Sequence, residues 1–226
     1  MTEQVLNFEE TAAGLPVEKP RKMTYEEYLA LPNEGGLVEW VNEQVVYHMP
    51  PKPIHQVLVR FLNALLTNFT EFLKVGGIFP SPIELKCTPE GNSRESDLLF
   101  LSNDKLHFVG ENRIVGQPDL IIEIVSDESV SRDFDEKFIE YQECGVPEYW
   151  IIDPRPRRNR ALFYQLGEDG EYVPVAPVRG IYHSRAVPGF WLKVSWLWEQ
   201  PDPLLTALEI AGFGEQADLL RQKKQQ

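Results

Sequence analysis

Cysteine, histidine and positive charge are all scarce in this chain. Its 226 residues hold two cysteines and four histidines. Cys87 and Cys144 stand in no CxxC or Cys/His spacing, which excludes a zinc-finger type of site. Two thiols also build no disulfide framework, so both are expected as small buried apolar residues. Lys and Arg number 22 against 35 Asp and Glu, a net charge of −13. That balance excludes a protein that coats nucleic acid through a broad basic face. It leaves room for an enzyme with an acidic metal site and one local basic surface, and it predicts weak nucleic-acid binding without metal. No apolar run is long enough to span a bilayer. The start, MTEQVLNFEE, lacks the basic and apolar regions of a signal peptide, so a cytoplasmic location and no membrane partner are expected.

What is present suits one α/β domain with a real core. Residues 1–21 are polar and aperiodic and read as a flexible N-terminal arm. Residues 22–212 read as the domain and residues 213–226 as a charged C-terminal tail. In MTYEEYLALP, Thr24 and Glu27 form a capping box ahead of a short helix. GLVEWVNEQVVYH reads as a hairpin around Asn42-Glu43. Over residues 54–74, apolar side chains recur every three or four residues, the mark of a helix ended by Gly76-Gly77. Strands are expected near 83–87 and 97–101 with a turn between them, then a polar connection over 102–117. PDLIIEIVS is a near-continuous apolar strand of the kind buried on both faces. Residues 130–144 form a second amphipathic helix ended by Gly145, with Asp133 and Asp135 in its first turn. EYWIID and ALFYQL are strands joined by the basic turn PRPRRNR. EYVPVA and FWLKVS are further strands, and 204–211 a short helix. The expected class is α/β, a mixed α+β sheet with flanking helices and an added β-hairpin.

Glu123 is the informative residue, because it interrupts a strand that otherwise reads as core. A buried carboxylate needs a partner, a metal or a proton. Asp119 shares its face of the strand but lies about 13 Å away at ~3.3 Å per residue, too far to bind the same ion directly. A second strand must supply the other ligand, and Asp97 is the candidate. Lys137 lies on the core-facing helical stripe of Phe134, Phe138, Tyr141 and Cys144, where a lysine snorkels out or meets an acid. Together they describe one unit: two carboxylates from neighbouring strands hold Mg²⁺, and a nearby ammonium steers a water. The plain alternative is a salt bridge between Glu123 and Lys137 with no chemistry, and spacing alone leaves the two level. Asp119 either joins through water or caps the strand entry after Pro118. Arg155, Arg157, Arg158 and Arg160 either track a DNA backbone or form a solvated loop. His55 is a helix-start residue or a third ligand. His48, His107 and His183 have no partner spacing. Asp153 reads as turn chemistry, and Trp191, Trp196 and Trp198 as packing or an oligomer contact.

The stretch GQPDLIIEIVSDESVSRDFDEKFIEYQECGVPEYWIIDP resembles the core signature of a bacterial family of restriction-endonuclease-like proteins within the PD-(D/E)XK nuclease superfamily. MTYEEYLALP, VEWVNEQVV, the Ile54-His55-Gln56 helix start, SDLLFL and PGFWLKVSWLW also fit, so the resemblance covers roughly residues 22–212. It implies a restriction-endonuclease-like core and metal-dependent phosphodiester hydrolysis, with Mg²⁺ or Mn²⁺ as cofactor and DNA as substrate. Asp97 matches the superfamily's strand aspartate and Glu123 the acid of its E-X-K element. Val125 stands where that element's lysine would be, and the family's lysine lies in the next helix, as Lys137 here. Glu39 matches an earlier acid of the family that orients the lysine or binds a second metal. Ser-Asp replaces Pro-Asp at Asp97, and Ser126-Asp127 replaces the Ser-Pro that follows the central strand; neither change removes a ligand. A homodimer follows by analogy, since two sites cut two strands most simply. The competing reading is a non-catalytic interaction protein that keeps the nuclease fold.

Overall fold

The structure, a computed structural model, describes residues 8–10, 16–18, 22–31 and 37–224. The expected N-terminal arm falls mostly outside these residues. Within it, β1 (Phe8–Glu10) and β2 (Pro16–Glu18) pair antiparallel. Helix α1 (Tyr25–Leu29) starts on the capping box: the Thr24 hydroxyl accepts from Glu27 N at 3.2 Å, and the Glu27 carboxylate accepts from Thr24 N at 2.8 Å. Strands β3 (Val38–Val41) and β4 (Gln44–Tyr47) form the hairpin. Asn42 and Glu43 at its tip both have positive φ, 49° and 63°, the pair of conformations that matches the twist of two-residue hairpins. Helix α2 (Pro53–Leu73) buries Leu58, Leu62, Leu65, Leu66 and Phe69 completely. It ends at Lys74, which takes the left-handed cap itself, and the expected glycine stop opens β5 (Gly76–Pro80) instead. A side chain at Gly76 would meet the Leu101 carbonyl at 2.2 Å, so close strand pairing, not helix capping, demands glycine there.

Next come β6 (Glu84–Lys86), β7 (Ser93–Glu95), β8 (Leu98–Ser102), β9 (Arg113–Val115) and β10 (Leu120–Ile124). Strand β7 lies between the two strands the sequence suggested, and β9 lies in the expected polar connection beside a 3₁₀ turn, Asn103–Phe108. Three residues cannot display a period; these strands exist because β7 pairs with β3 and β6, and β9 with β6. After β10 a π-helical turn (Arg132–Glu136) runs into α3 (Lys137–Glu143). The remainder is β11 (Glu148–Asp153), β12 (Arg160–Leu166), β13 (Tyr172–Pro174), β14 (Ile181–His183), β15 (Trp191–Lys193), α4 (Trp196–Glu199), α5 (Pro203–Ile210) and α6 (Gly214–Lys224). The charged C-terminal residues thus fold as a helix as far as Lys224.

The central sheet has the order β13-β12-β11-β10-β8-β5, with β10 and β11 its parallel pair; a second sheet runs β4-β3-β7-β6-β9. Alternation along β10 divides the core. Leu120, Ile122 and Ile124 pack with α2, α5, Trp150 and Trp196, whereas Ile121 and Val125 face Tyr141 of α3 and Tyr149. Glu123 falls on the α3 side by the same period. Trp191 and Trp198 pack against the first of these clusters, with Trp191 and Trp196 rings 5.1 Å apart. The cysteines correct an expectation. They are disulfide-bonded, half-buried, and join the end of β6 to the end of α3, with Cα atoms 6.0 Å apart. Their separation of 57 residues hid a pairing that only tertiary folding makes. No helix of the described residues is long and apolar enough to cross a membrane.

Candidate active site

Register places the two strand acids together. Leu98 pairs with Ile122; one step further, Asp97 stands opposite Glu123, where cross-strand side chains are near neighbours. Asp97 ends the ladder with its own side chain, Oδ2 accepting from Ile124 N at 2.7 Å. His55, from the first turn of α2, brings Nε2 to 3.1 Å from the same oxygen. Glu123 Oε1 accepts from Lys137 Nζ at 2.8 Å and from Tyr141 OH at 3.0 Å. Lys137 also donates to the Glu95 carbonyl at 3.0 Å and lies 3.4 Å from Glu39 Oε1. The π turn matters here. Asp133 within it and Lys137 just after it, four residues apart and so about one turn, are both buried beside the strands, at 1% and 2% exposure. Such turns recur at functional sites.

Glu39 is the hub of a second layer. Its Oε1 accepts from Glu95 N at 3.0 Å, and its Oε2 accepts from Arg94 Nη1 at 3.1 Å. Arg94 Nη2 also reaches Glu136, and Nη2 and Nε together hold Glu140, tying the hairpin sheet to the π turn and α3. Arg132 Nη1 lies 3.0 Å from His48 Nδ1. An arginine only donates, so Nδ1 accepts and Nε2 carries the proton, 3.1 Å from Glu39 Oε2.

The charge states follow from these contacts. Burial pushes Glu123 up to about 8, helped by Asp97 and Asp133 and opposed by Lys137. Burial works against the Lys137 ammonium, but Glu123, Glu39 and Asp133 outweigh it and raise its pKa. Burial also opposes ionisation of Glu39, yet Lys137, His48 and Arg94 hold it well below the usual carboxylate range. Burial and the Glu39 charge lift Glu95 to about 7, and burial raises Asp133. The cleft is therefore a place where carboxylates lack enough cation.

That deficit bears on metal. Among the described residues no group of three or more His, Cys, Asp and Glu side chains is placed to hold a metal ion. A Mg²⁺ ion does not ask for one, since it binds through one or two carboxylates and keeps several waters. Asp97 Oδ2 and Glu123 Oε1 are committed to protein donors, while Asp97 Oδ1 and Glu123 Oε2 make no hydrogen bond among the described residues. Glu95 Oε2 and Asp133 Oδ1 are buried without a hydrogen bond, and Asp133 Oδ1 has only Arg132 Nε at 3.7 Å. These donors fit a hard, water-rich cation. The cavity, ≈ 70 Å³ and lined by Glu39, His48, His55, Asp97, Glu123 and Lys137 among others, has room for an ion with water.

The structure thus gathers Glu39, Asp97, Glu123 and Lys137 round one cleft and leaves Asp119 elsewhere. Asp119 sits at the far end of β10, accepting from Ser102 N at 2.7 Å and pairing with Lys105 at 2.8 Å. Its place in the metal set is corrected to a strand-entry contact, because four residues of strand carry it beyond reach of the ion. His48, Arg94, Glu95, Arg132 and Asp133 join the site without having been singled out. His48 was findable: with Asn42-Glu43 as a two-residue tip, pairing puts Glu39 opposite Val46, so Glu39 and His48 share a face. Arg94 and Asp133 gave no such signal.

A family model described as Uma2, "Putative restriction endonuclease", matches residues 25–195, which include every residue of the cleft. No curated protein matches the chain. A crystal structure described as a putative nuclease belonging to DUF820, from Anabaena variabilis ATCC 29413, superposes with a TM-score of 0.63 at 16% identity, covering 79% of this chain and 98% of that one. At that identity the likeness shows the fold, a mixed α+β nuclease fold consistent with the restriction-endonuclease-like PD-(D/E)XK superfamily. With most of its length matched, the chain belongs to the Uma2 family.

Proposed function

We propose that this protein is a divalent-metal-dependent endonuclease that hydrolyses phosphodiester bonds of DNA. The observation that carries the reading is the meeting of Asp97, Glu123 and Lys137 from separate parts of the fold, with Lys137 Nζ 2.8 Å from Glu123 and Asp97 accepting from the amide of Ile124, the residue after Glu123. Asp97 and Glu123 would hold Mg²⁺ or Mn²⁺, which when bound lowers the pKa of a coordinated water and offsets charge on the phosphodiester. Lys137 steers the attacking water and stabilises charge that develops at phosphorus. Glu39 keeps Lys137 charged and in place, and Tyr141 fixes the rotamer of Glu123. His48 and Arg94 keep Glu39 ionised.

Hydrolysis of plasmid and linear DNA with Mg²⁺ or Mn²⁺ tests this. Asp97→Ala, Glu123→Ala and Lys137→Ala should each lower the rate roughly 100-fold or more, the usual cost of removing a group that acts at the transition state. A pure, folded protein inert on every nucleic acid and metal tried would overturn the enzymatic reading. It would favour the second one, a non-catalytic interaction protein that keeps the fold, which the net charge of −13 supports. Calorimetry separates the two, because only the enzyme needs a divalent ion whose affinity depends on Glu123. We further infer a homodimer, which sedimentation checks, and a cytoplasmic location alongside its DNA substrate, where the Cys87–Cys144 bond would be open to reduction.

A further inference from the structure

Four arginines crowd the β11–β12 loop, and two of them have a structural task. Asp153, at the end of β11, is fully buried. Arg155 grips it through two nitrogens, Nε at 2.8 Å and Nη2 at 2.9 Å, and Arg160 Nε adds a contact at 3.3 Å. Arg160 also stacks its guanidinium 5.2 Å from the Phe134 ring in the π turn. The other two, Arg157 and Arg158, are exposed and form no ion pair among the described residues. Arg157 is held at φ 69° and Arg158 N bonds the Arg155 carbonyl at 2.9 Å, so the loop is a fixed turn and not a loose one.

Its place is set by the sheet. Strands β10 and β11 run parallel, and Val125 N bonds the Ile152 carbonyl at 2.8 Å. The loop therefore leaves the same end of the sheet as Glu123 and the cleft residue Ser126. Arg155 lies close enough to Asp127 for each to shift the other's titration, and Lys52 pairs with Asp127 from the opposite side. Lys52 and Arg155 are thus answered by acids, while Arg157 and Arg158, in the same loop, are exposed and have no acid partner among the described residues, on a protein of charge −13. Two unanswered guanidiniums beside an acidic cleft are what a polyanion needs, because phosphate contacts supply position and affinity where the cleft itself repels.

We propose that Arg157 and Arg158 form a phosphate clamp that holds the backbone of duplex DNA next to the cleft. The proposal rests on the endonuclease reading and adds the surface by which the substrate is held. Its test is fluorescence anisotropy of a labelled DNA duplex, titrated with the full chain in Ca²⁺ between 50 and 200 mM salt. The variant is Arg157→Asn with Arg158→Gln, since asparagine tolerates the left-handed conformation at position 157. Arg179→Gln serves as a control on another exposed loop. Each lost phosphate contact lowers the slope of log K against log salt by about 0.9, so the double variant should lose nearly two and bind roughly tenfold more weakly at 0.1 M salt. The control should match wild type, and all three should melt together. Equal affinity and slope in wild type and double variant would discard the clamp while leaving the nuclease reading intact. Wild type that binds no DNA would discard both, and wild type that prefers single-stranded RNA would discard duplex DNA as the occupant.

Discussion

Glu123 and Glu148 are equally buried strand carboxylates, and their partners separate them. Glu148 accepts from Trp150, Tyr182, Ser184, Arg185 N and Ala186 N; five neutral donors satisfy it, and it has a structural task. Glu148→Ala should cost about 3 kcal/mol by stranding those donors, read as a urea midpoint shift, with residual nuclease activity scaling only with the folded fraction. Glu123 has one lysine and one tyrosine, which leave its buried charge under-compensated. A carboxyl whose pKa rises from 4.5 to about 8 on folding binds more protons folded than unfolded between those values. Its contribution to stability therefore falls as pH rises through that window. Glu95 and Asp133 act in the same direction. Lys137, raised above its ordinary value, contributes undiminished stability until far more alkaline pH. In EDTA, the melting temperature should drop from pH 5.5 to pH 8, and Glu123→Gln should flatten the drop; a wild-type curve that rises over this range would refute the account. The sequence made Glu123 and Lys137 visible because each breaks an apolar pattern. Arg94 stayed hidden because its carboxylate partners lie about 40 to 55 residues away in sequence.

Elements of helical period were legible for the same reason that they are stable: α2 and the helix ending at Glu143 show their buried stripes over two or more turns. The short strands β7, β9 and β14 were not, since they borrow their hydrogen bonds from distant neighbours. Nor was the π turn, which the sequence presents as ordinary helix. The disulfide is an element-level brace, fastening the end of α3 to the hairpin sheet across 57 residues. Cys87→Ser with Cys144→Ser, or reduction, should lower stability by about 2–4 kcal/mol, with the chain-entropy argument at the upper end. Coincident urea curves for reduced and oxidised protein would show that the brace is idle.

For the whole molecule, net charge sets the terms on which the proposed substrate would bind. If the cleft takes a cation as proposed, affinity for a duplex should be at least tenfold weaker in EDTA than in Ca²⁺, because a surface of net charge −13 repels a polyanion; anisotropy measures this directly. The family and the mixed sheet could be read from the central motif, but the pairing of Asp97 with Glu123 depends on a strand order that no local pattern encodes. The assembly of the cleft then carries its own consequence. Its lining comes from the β3–β4 hairpin, the start of α2, the approach to β8, β10 and the π turn with the residue after it. No fragment shorter than residues 39–137 can therefore carry the whole constellation, and the pocket exists only where the chain between those two ends is intact.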